Sequence, residues 1–263
     1  DVANQVEAGA KHISFNDPDF FNGPKHALKI LELLNTQHPD ITYDSTIKVE
    51  HILKYPEYFR ELKDLNMLFV ISAFETTNDL VLEILQKNHT YKDLRDAVEV
   101  SIKNNIDIRP TWMPFSPWTE IDDLTNIITL IEDYKLRETV DPIQLTIKLL
   151  IPKNSLILNR PEIKEYLLDY DPASFSYSWN YKNTALDNIQ NELFTYVLQN
   201  ESADEYRQYL GLVKILEKHS GKSLLSTEKY NQRIVPKLSE TWFCCAEPNK
   251  IQLERIRSNK ALI

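Results

Sequence analysis

Apolar positions along the chain follow two alternating rhythms, one of period two and one of helical spacing. Lys11–Phe15 is a short run suited to a buried strand, and it ends in Asn16-Asp17-Pro18-Asp19, where proline stops a ladder. The opening DVANQVEAGA is helix-like. Pro24–Asn35 places Ala27, Ile30, Leu31 and Leu34 on one helical face, with proline in the first turn. Ile41–Ile47 alternates as a second strand, and residues 50–65 predict a helical stretch interrupted by Pro56. Met67–Phe74 is almost continuously apolar, as expected of a strand covered on both faces, and it ends at Glu75. Helices follow over Asp79–Gln86 and Tyr91–Asn104. Ile106–Met113 is a strand if Pro110 falls where no ladder donor is required. Thr119 is the expected cap of a helix running to Tyr134, and Pro142–Ile151 is expected to be a strand. Helices are expected at Pro161–Leu168, Tyr181–Leu198 and Ser202–Lys218, the second with Leu186, Ile189, Leu193 and Val197 on its apolar face.

This alternation builds parallel sheets through right-handed crossovers. On pattern alone, an open doubly wound sheet and a barrel both remain. A chain of 263 residues is long enough for one core of either kind. Its net charge of -9 argues against nucleic acid or an anionic membrane surface as partner, and favours a small-molecule or peptide substrate. No apolar run approaches the ~20 residues of a membrane helix and no signal peptide opens the sequence, so the expected location is cytoplasmic. Only four glycines occur. There is no GxGxxG or GxxxxGK[ST] cradle for phosphates. The six histidines show no HExxH or paired spacing that would suggest zinc.

Carboxylates gather where predicted parallel strands run out, at Asp17, Asp19 and Glu75, and the crevice outside strand ends is where such sheets hold ligands. Asp17 and Asp19 equally suit capping of the helix that follows, and Glu75 suits a salt bridge to a neighbouring helix. Trp112, Phe115 and Trp118 are either pocket walls or core, and Tyr177 and Trp179 either close a mouth or pack the added helices. Cys244 and Cys245 are the only cysteines. Adjacent thiols pair with each other only under strain, which points to a reduced redox or nucleophilic pair, or to inert buried thiols.

The order of ISFNDPDFFNGP, TIKVEH, SAFETTNDLVLEILQK, WMPFSPWT and IQLTIKLLIP resembles the core of radical S-adenosylmethionine enzymes, especially members with a cobalamin-binding domain ahead of the barrel. The closing Phe243-Cys244-Cys245-Ala246-Glu247-Pro248 is similar to the tail of the CUAEP/CCAEP subgroup. The resemblance implies a partial (β/α) barrel over residues 1–158, incomplete at its amino-terminal side. A helical carboxyl-terminal extension with the CCAEP tail would then occupy residues 159–263. It also implies a [4Fe-4S] cluster, S-adenosylmethionine and a 5'-deoxyadenosyl radical, with cobalamin as a cofactor left open.

By the same resemblance, Asp17, Pro18 and Asp19 match the segment that holds the methionine amino group. Ala73-Phe74-Glu75-Thr76 matches the family's GIES, with alanine for glycine and threonine for serine. Lys87, or less directly Lys48, would meet the methionine carboxylate, unless each is simply a solvated surface lysine. Cys244 and Cys245 would be catalytic. The family's CxxxCxxC loop, whose three thiolates hold the cluster, is absent. That loop, the first strand and any cobalamin domain are expected in an amino-terminal part of the same protein, leaving here the second to sixth strands. Two other classes remain open: a barrel-type hydrolase or lyase using Asp17 and Glu75 as acid and base, and a non-catalytic binding module.

Overall fold

The computed structural model describes residues 1–227 and 230–236. Its centre is a four-stranded parallel sheet in the order β1 (His12–Phe15), β2 (Thr42–Thr46), β3 (Met67–Glu75) and β4 (Asp107–Trp112). The first helix, α1 (Val2–Glu7), precedes the sheet. β1 and β2 are joined through α2 (Pro24–Gln37), and β2 and β3 through α3 (Val49–Lys54) and α4 (Pro56–Asp64). β3 and β4 are joined through α5 (Asp79–Ile84) and α6 (Tyr91–Lys103). Pro56 begins α4 rather than breaking one long helix, because its fixed φ suits the first helical turn.

Strand order follows chain order without a reversal, so same-handed crossovers carry the helices to one side of the sheet. Register gives that side Ile13, Tyr43, Val70, Ile108 and Trp112, all buried in one core with Leu31, Ile52, Leu62 and Val98 of the helices. The other face carries His12, Ser14, Thr42, Asp44, Thr46, Phe69, Ile71, Arg109 and Thr111. Most of these are half-buried or exposed. The sheet is open among the described residues.

Pro110 sits harmlessly in β4. The amide of Met113 donates to the Glu75 carbonyl of β3 at 2.8 Å, and that of Trp112 faces the other way, to Gln144 Oε1 at 2.9 Å. Amides alternate in direction along a parallel strand, so position 110 shares the edge of Trp112, where no strand pairs.

The expected strand at Pro142–Ile151 is not one. Pro142–Thr146 is a 3-10 helix, capped by the Asp141 side chain on the Ile143 amide, and Lys148 forms a single parallel bridge to Phe115. Gln144 then supplies β4 with a side-chain acceptor where a fifth strand would have supplied a backbone one. Thr119 does not cap α7 (Ile121–Asp133) either. Glu120 does, in a reciprocal capping box with Asp123, while Thr119 accepts from the Ser116 amide and donates to the Pro114 carbonyl.

The expected helix at Pro161–Leu168 is a short 3-10 turn, Pro161–Ile163, followed by an antiparallel hairpin of β5 (Leu167–Asp171) and β6 (Ser176–Trp179). Asp171 starts the turn by accepting from the Ala173 amide at 2.9 Å, and Phe175 takes a positive φ of 57°. The extension is therefore not purely helical. It ends in α8 (Ala185–Gln199) and α9 (Glu205–Ser220), which pack closely at Gly211: a Cβ there would lie 1.9 Å from the Tyr196 hydroxyl oxygen. Beyond α9, residues 230–236 run back to the sheet.

Candidate functional site

The turn after β1 brings two carboxylates to the carboxyl end of the sheet. Asp17 is exposed and accepts from the Asp19 amide at 2.8 Å, an Asx turn held open by Pro18. Asp19 is buried. Its Oδ1 accepts from the Lys48 amide at 3.3 Å, at the start of α3. Its Oδ2 lies 2.8 Å from His51 Nδ1 and 3.5 Å from the exposed Lys48 Nζ. The contact with His51 is too oblique for a good hydrogen bond, so both buried atoms lack an aligned partner. Asp17, Asp19, Phe20, Asn22, Gly23 and His26 line a cavity of about 350 Å³ at the start of α2. Neither carboxylate caps α2, whose N-cap is Gly23.

Glu75 is the last residue of β3, with φ at 63°. A left-handed conformation is costly for a side-chain-bearing residue and marks a backbone held by its surroundings. Here a bulge between Ala73 and Glu75 turns the strand, and the Met113 amide fixes the Glu75 carbonyl. The carboxylate is 12% exposed and meets Lys87 Nζ at 2.5 Å. Thr76 is buried, and its hydroxyl oxygen accepts from the Asn78 amide at 3.3 Å. Beside the pair, His89 is buried with no partner for Nε2. Burial above all, and then the Lys87 ammonium, holds the pKa of His89 below the ordinary histidine value.

The sequence therefore locates the right strand ends, but the structure distributes the residues over two places. Asp17 and Asp19 share the cavity, which Glu75 does not line. Lys87 and Glu75 hold each other. Trp112, Phe115 and Trp118 are buried in the core and none of them lines the cavity beside Asp19, and Trp179 packs with its Nε1 donating to the Leu149 carbonyl at 2.8 Å. Cys244 and Cys245 lie outside the described residues.

Sequence reasoning missed a polar cluster on the helix-free face. Asp44, 2% exposed, accepts from Ser14 Oγ at 2.5 Å and lies 2.7 Å from His12 Nε2. The other ring nitrogen of His12 is 2.8 Å from Thr42 Oγ1. His12 and Arg109 both lie against Phe69, at 6.0 and 5.7 Å. Phe69 is 1% exposed yet belongs to no part of the helix-side core. The signal was present in the period-two alternation of Thr42, Asp44 and Thr46. Among the described residues no group of three or more His, Cys, Asp or Glu side chains is placed to hold a metal ion, and no helix is long and apolar enough to cross a membrane.

No family model matches the chain, and no curated protein does. Solved structures do. The cobalamin-dependent S-adenosylmethionine radical enzyme OxsB with aqua-cobalamin bound superposes with a TM-score of 0.63 at 13% identity. The same enzyme with aqua-cobalamin and S-adenosylmethionine bound gives 0.64 at 12%. In each case 84% of this chain is covered and 40% of the other. The chain therefore shares the fold of two fifths of the radical enzyme OxsB.

Proposed function

We propose that this chain is the barrel portion of a radical S-adenosylmethionine enzyme acting on a small-molecule or peptide substrate. The observation that carries the reading is Asp19 Oδ2: a buried carboxylate oxygen without an aligned donor, at a strand end, beside a cavity. A cationic ammonium satisfies such an oxygen better than any neutral donor does, so Asp19, with Asp17 and Pro18 shaping the turn, would receive the amino group of the cofactor. Glu75 and Thr76, at the next strand end but one, would face its ribose. Lys87, released from Glu75, or Lys48 beside Asp19, would face its carboxylate. S-adenosylmethionine supplies the 5'-deoxyadenosyl radical when reduced by an iron-sulfur cluster.

The cluster does not fit this chain alone. Its only two thiols are adjacent, and three spaced ones are needed. On this reading the cluster ligands, and any cobalamin site, would be supplied by residues outside this chain. Cys244 and Cys245 are assigned as a thiol pair acting on substrate, since a thiolate is the nucleophile. The hydrolase reading has less support, because Asp17 and Glu75 do not line one cavity.

The test is anaerobic reconstitution of the complete gene product with iron and sulfide, followed by reductant and S-adenosylmethionine. Release of 5'-deoxyadenosine, weakened at least tenfold by Asp19→Asn, is expected. A complete product that binds no cluster and releases no nucleoside overturns the reading.

A further inference from the structure

The helix-free face of the sheet is lined by half-buried Thr42, Thr46, Ile71, Ala73 and Thr111, and no described helix covers it. One segment does approach it. Tyr230 is clamped between Arg137, 4.0 Å from its ring, and the Tyr206 ring, with its hydroxyl donating to Glu138. Arg233 then donates its amide to Glu138 at 3.3 Å and reaches Asp107 at 3.3 Å, at the start of β4. The carbonyl of Pro236 accepts from Arg109 at 3.0 Å. Successive anchors thus carry the chain from α7 to the amino-terminal edge of β4 and leave it on the polar face, beside Phe69.

We propose that this face is the docking site of the chain's own carboxyl-terminal segment, residues 237–263, and that docking brings Cys244 and Cys245 over the sheet. The inference goes beyond the proposed function and does not depend on its cofactor. Eight residues lead from Pro236 to Cys244. Extended, they span at most about 26–29 Å. Crossing from β4 to β1 takes about 14 Å at the usual strand spacing. Every point on the face is within reach of the pair.

Charge agrees with this occupant. Asp141, Glu205, Asp107 and Asp44 all act on Arg109, so the face and its rim set four carboxylates against the two guanidinium groups of Arg109 and Arg233. Residues 237–263 carry Lys237, Lys250, Arg255, Arg257 and Lys260 against Glu240, Glu247 and Glu254. An acidic face favours a basic segment over an acidic one. Trp242 and Phe243, just before the thiols, supply apolar surface to set against Ile71 and Ala73.

The test uses the full chain with Cys244→Ser, which leaves one native thiol, and one added cysteine. Ile71→Cys places it on the polar face. Leu33→Cys places it on the exposed side of α2, where Leu33 is 57% exposed. After oxidation with copper-phenanthroline, peptide mass mapping reads the disulfide to Cys245. At least a tenfold greater yield is expected from position 71, reduced several-fold by Arg109→Ala with Arg233→Ala. Equal yields at 71 and 33, or none at 71, overturn the proposal. Thr111→Cys repeats the reading should Ile71→Cys lose its native circular dichroism. Because none of these readouts requires cluster or cofactor, failure here leaves the radical-enzyme reading to its own test.

Discussion

Glu75 holds a backbone conformation that a Cβ ordinarily forbids, and two substitutions separate that cost from the loss of its ion pair. Glu75→Gly and Glu75→Ala both strand Lys87, but only glycine is at ease at a φ of 63°. The glycine variant is expected to be more stable than the alanine variant by about 1 kcal/mol in urea unfolding; equal midpoints would show that the turn relaxes. His89 makes a prediction in pH. Its native pKa is lowered by burial and by Lys87, so the unfolded chain takes up a proton near pH 6.5 that the native state refuses. Stability is complete above that value and is lost as pH falls from about 6.5 towards the depressed native pKa. The thermal midpoint should fall between pH 7 and 5.5, and His89→Gln should flatten the fall; parallel curves would remove His89 from the account.

The elements themselves show what a single sequence conveys. Met67–Glu75 was legible as a strand because its apolar run is long and unbroken, although helices cover only one of its faces and Ile71 and Ala73 on the other are half-buried, and α2 was legible because its leucines repeat on one face. The site was legible in part for the same reason: strand ends announce themselves by proline and carboxylates, as at Asp17 to Asp19. Pro142–Thr146 misled because burial and strand formation leave the same apolar signature. The deciding contact, the Gln144 side chain on the Trp112 amide, joins positions 32 residues apart. The hairpin of β5 and β6 misled for the opposite reason, its strands being too polar and half-exposed to stand out. His12 and Asp44, likewise 32 residues apart, needed the β1–β2 register to meet. Gln144→Leu tests the first of these. It keeps the apolar bulk but leaves the buried Trp112 amide without an acceptor, at an expected cost of about 1–3 kcal/mol in chemical unfolding. A neutral result would mean that another acceptor moves in.

At the scale of the molecule, the sheet is covered by helices on one side, and the described carboxyl-terminal segment is pinned across the rim of the other. The pin depends on a buried pair, Glu132 with Arg137, each about 5% exposed or less, with Tyr209 donating to Glu132 at 2.7 Å. Arg137 in turn holds the Tyr230 ring. Glu132→Gln leaves the guanidinium buried without its counter-charge, a loss of about 3–5 kcal/mol by the usual behaviour of such pairs. Limited trypsin digestion should then cut at Arg233 before it cuts at Lys92, Arg95 or Lys103 of α6. If Arg233 stays as protected as in the unaltered chain, the segment is held by its own contacts with β4 rather than through Arg137.

Gly211 gives this arrangement a fulcrum. One hydrogen in place of a methyl group lets the Tyr196 phenol seat itself against α9, and so fixes the angle at which that helix leaves its partner. The described residues after α9 inherit the angle. Any side chain at 211 would act as a wedge near the root of a lever, and the displacement would be read furthest away, where Arg233 and Pro236 meet Asp107 and Arg109 of β4.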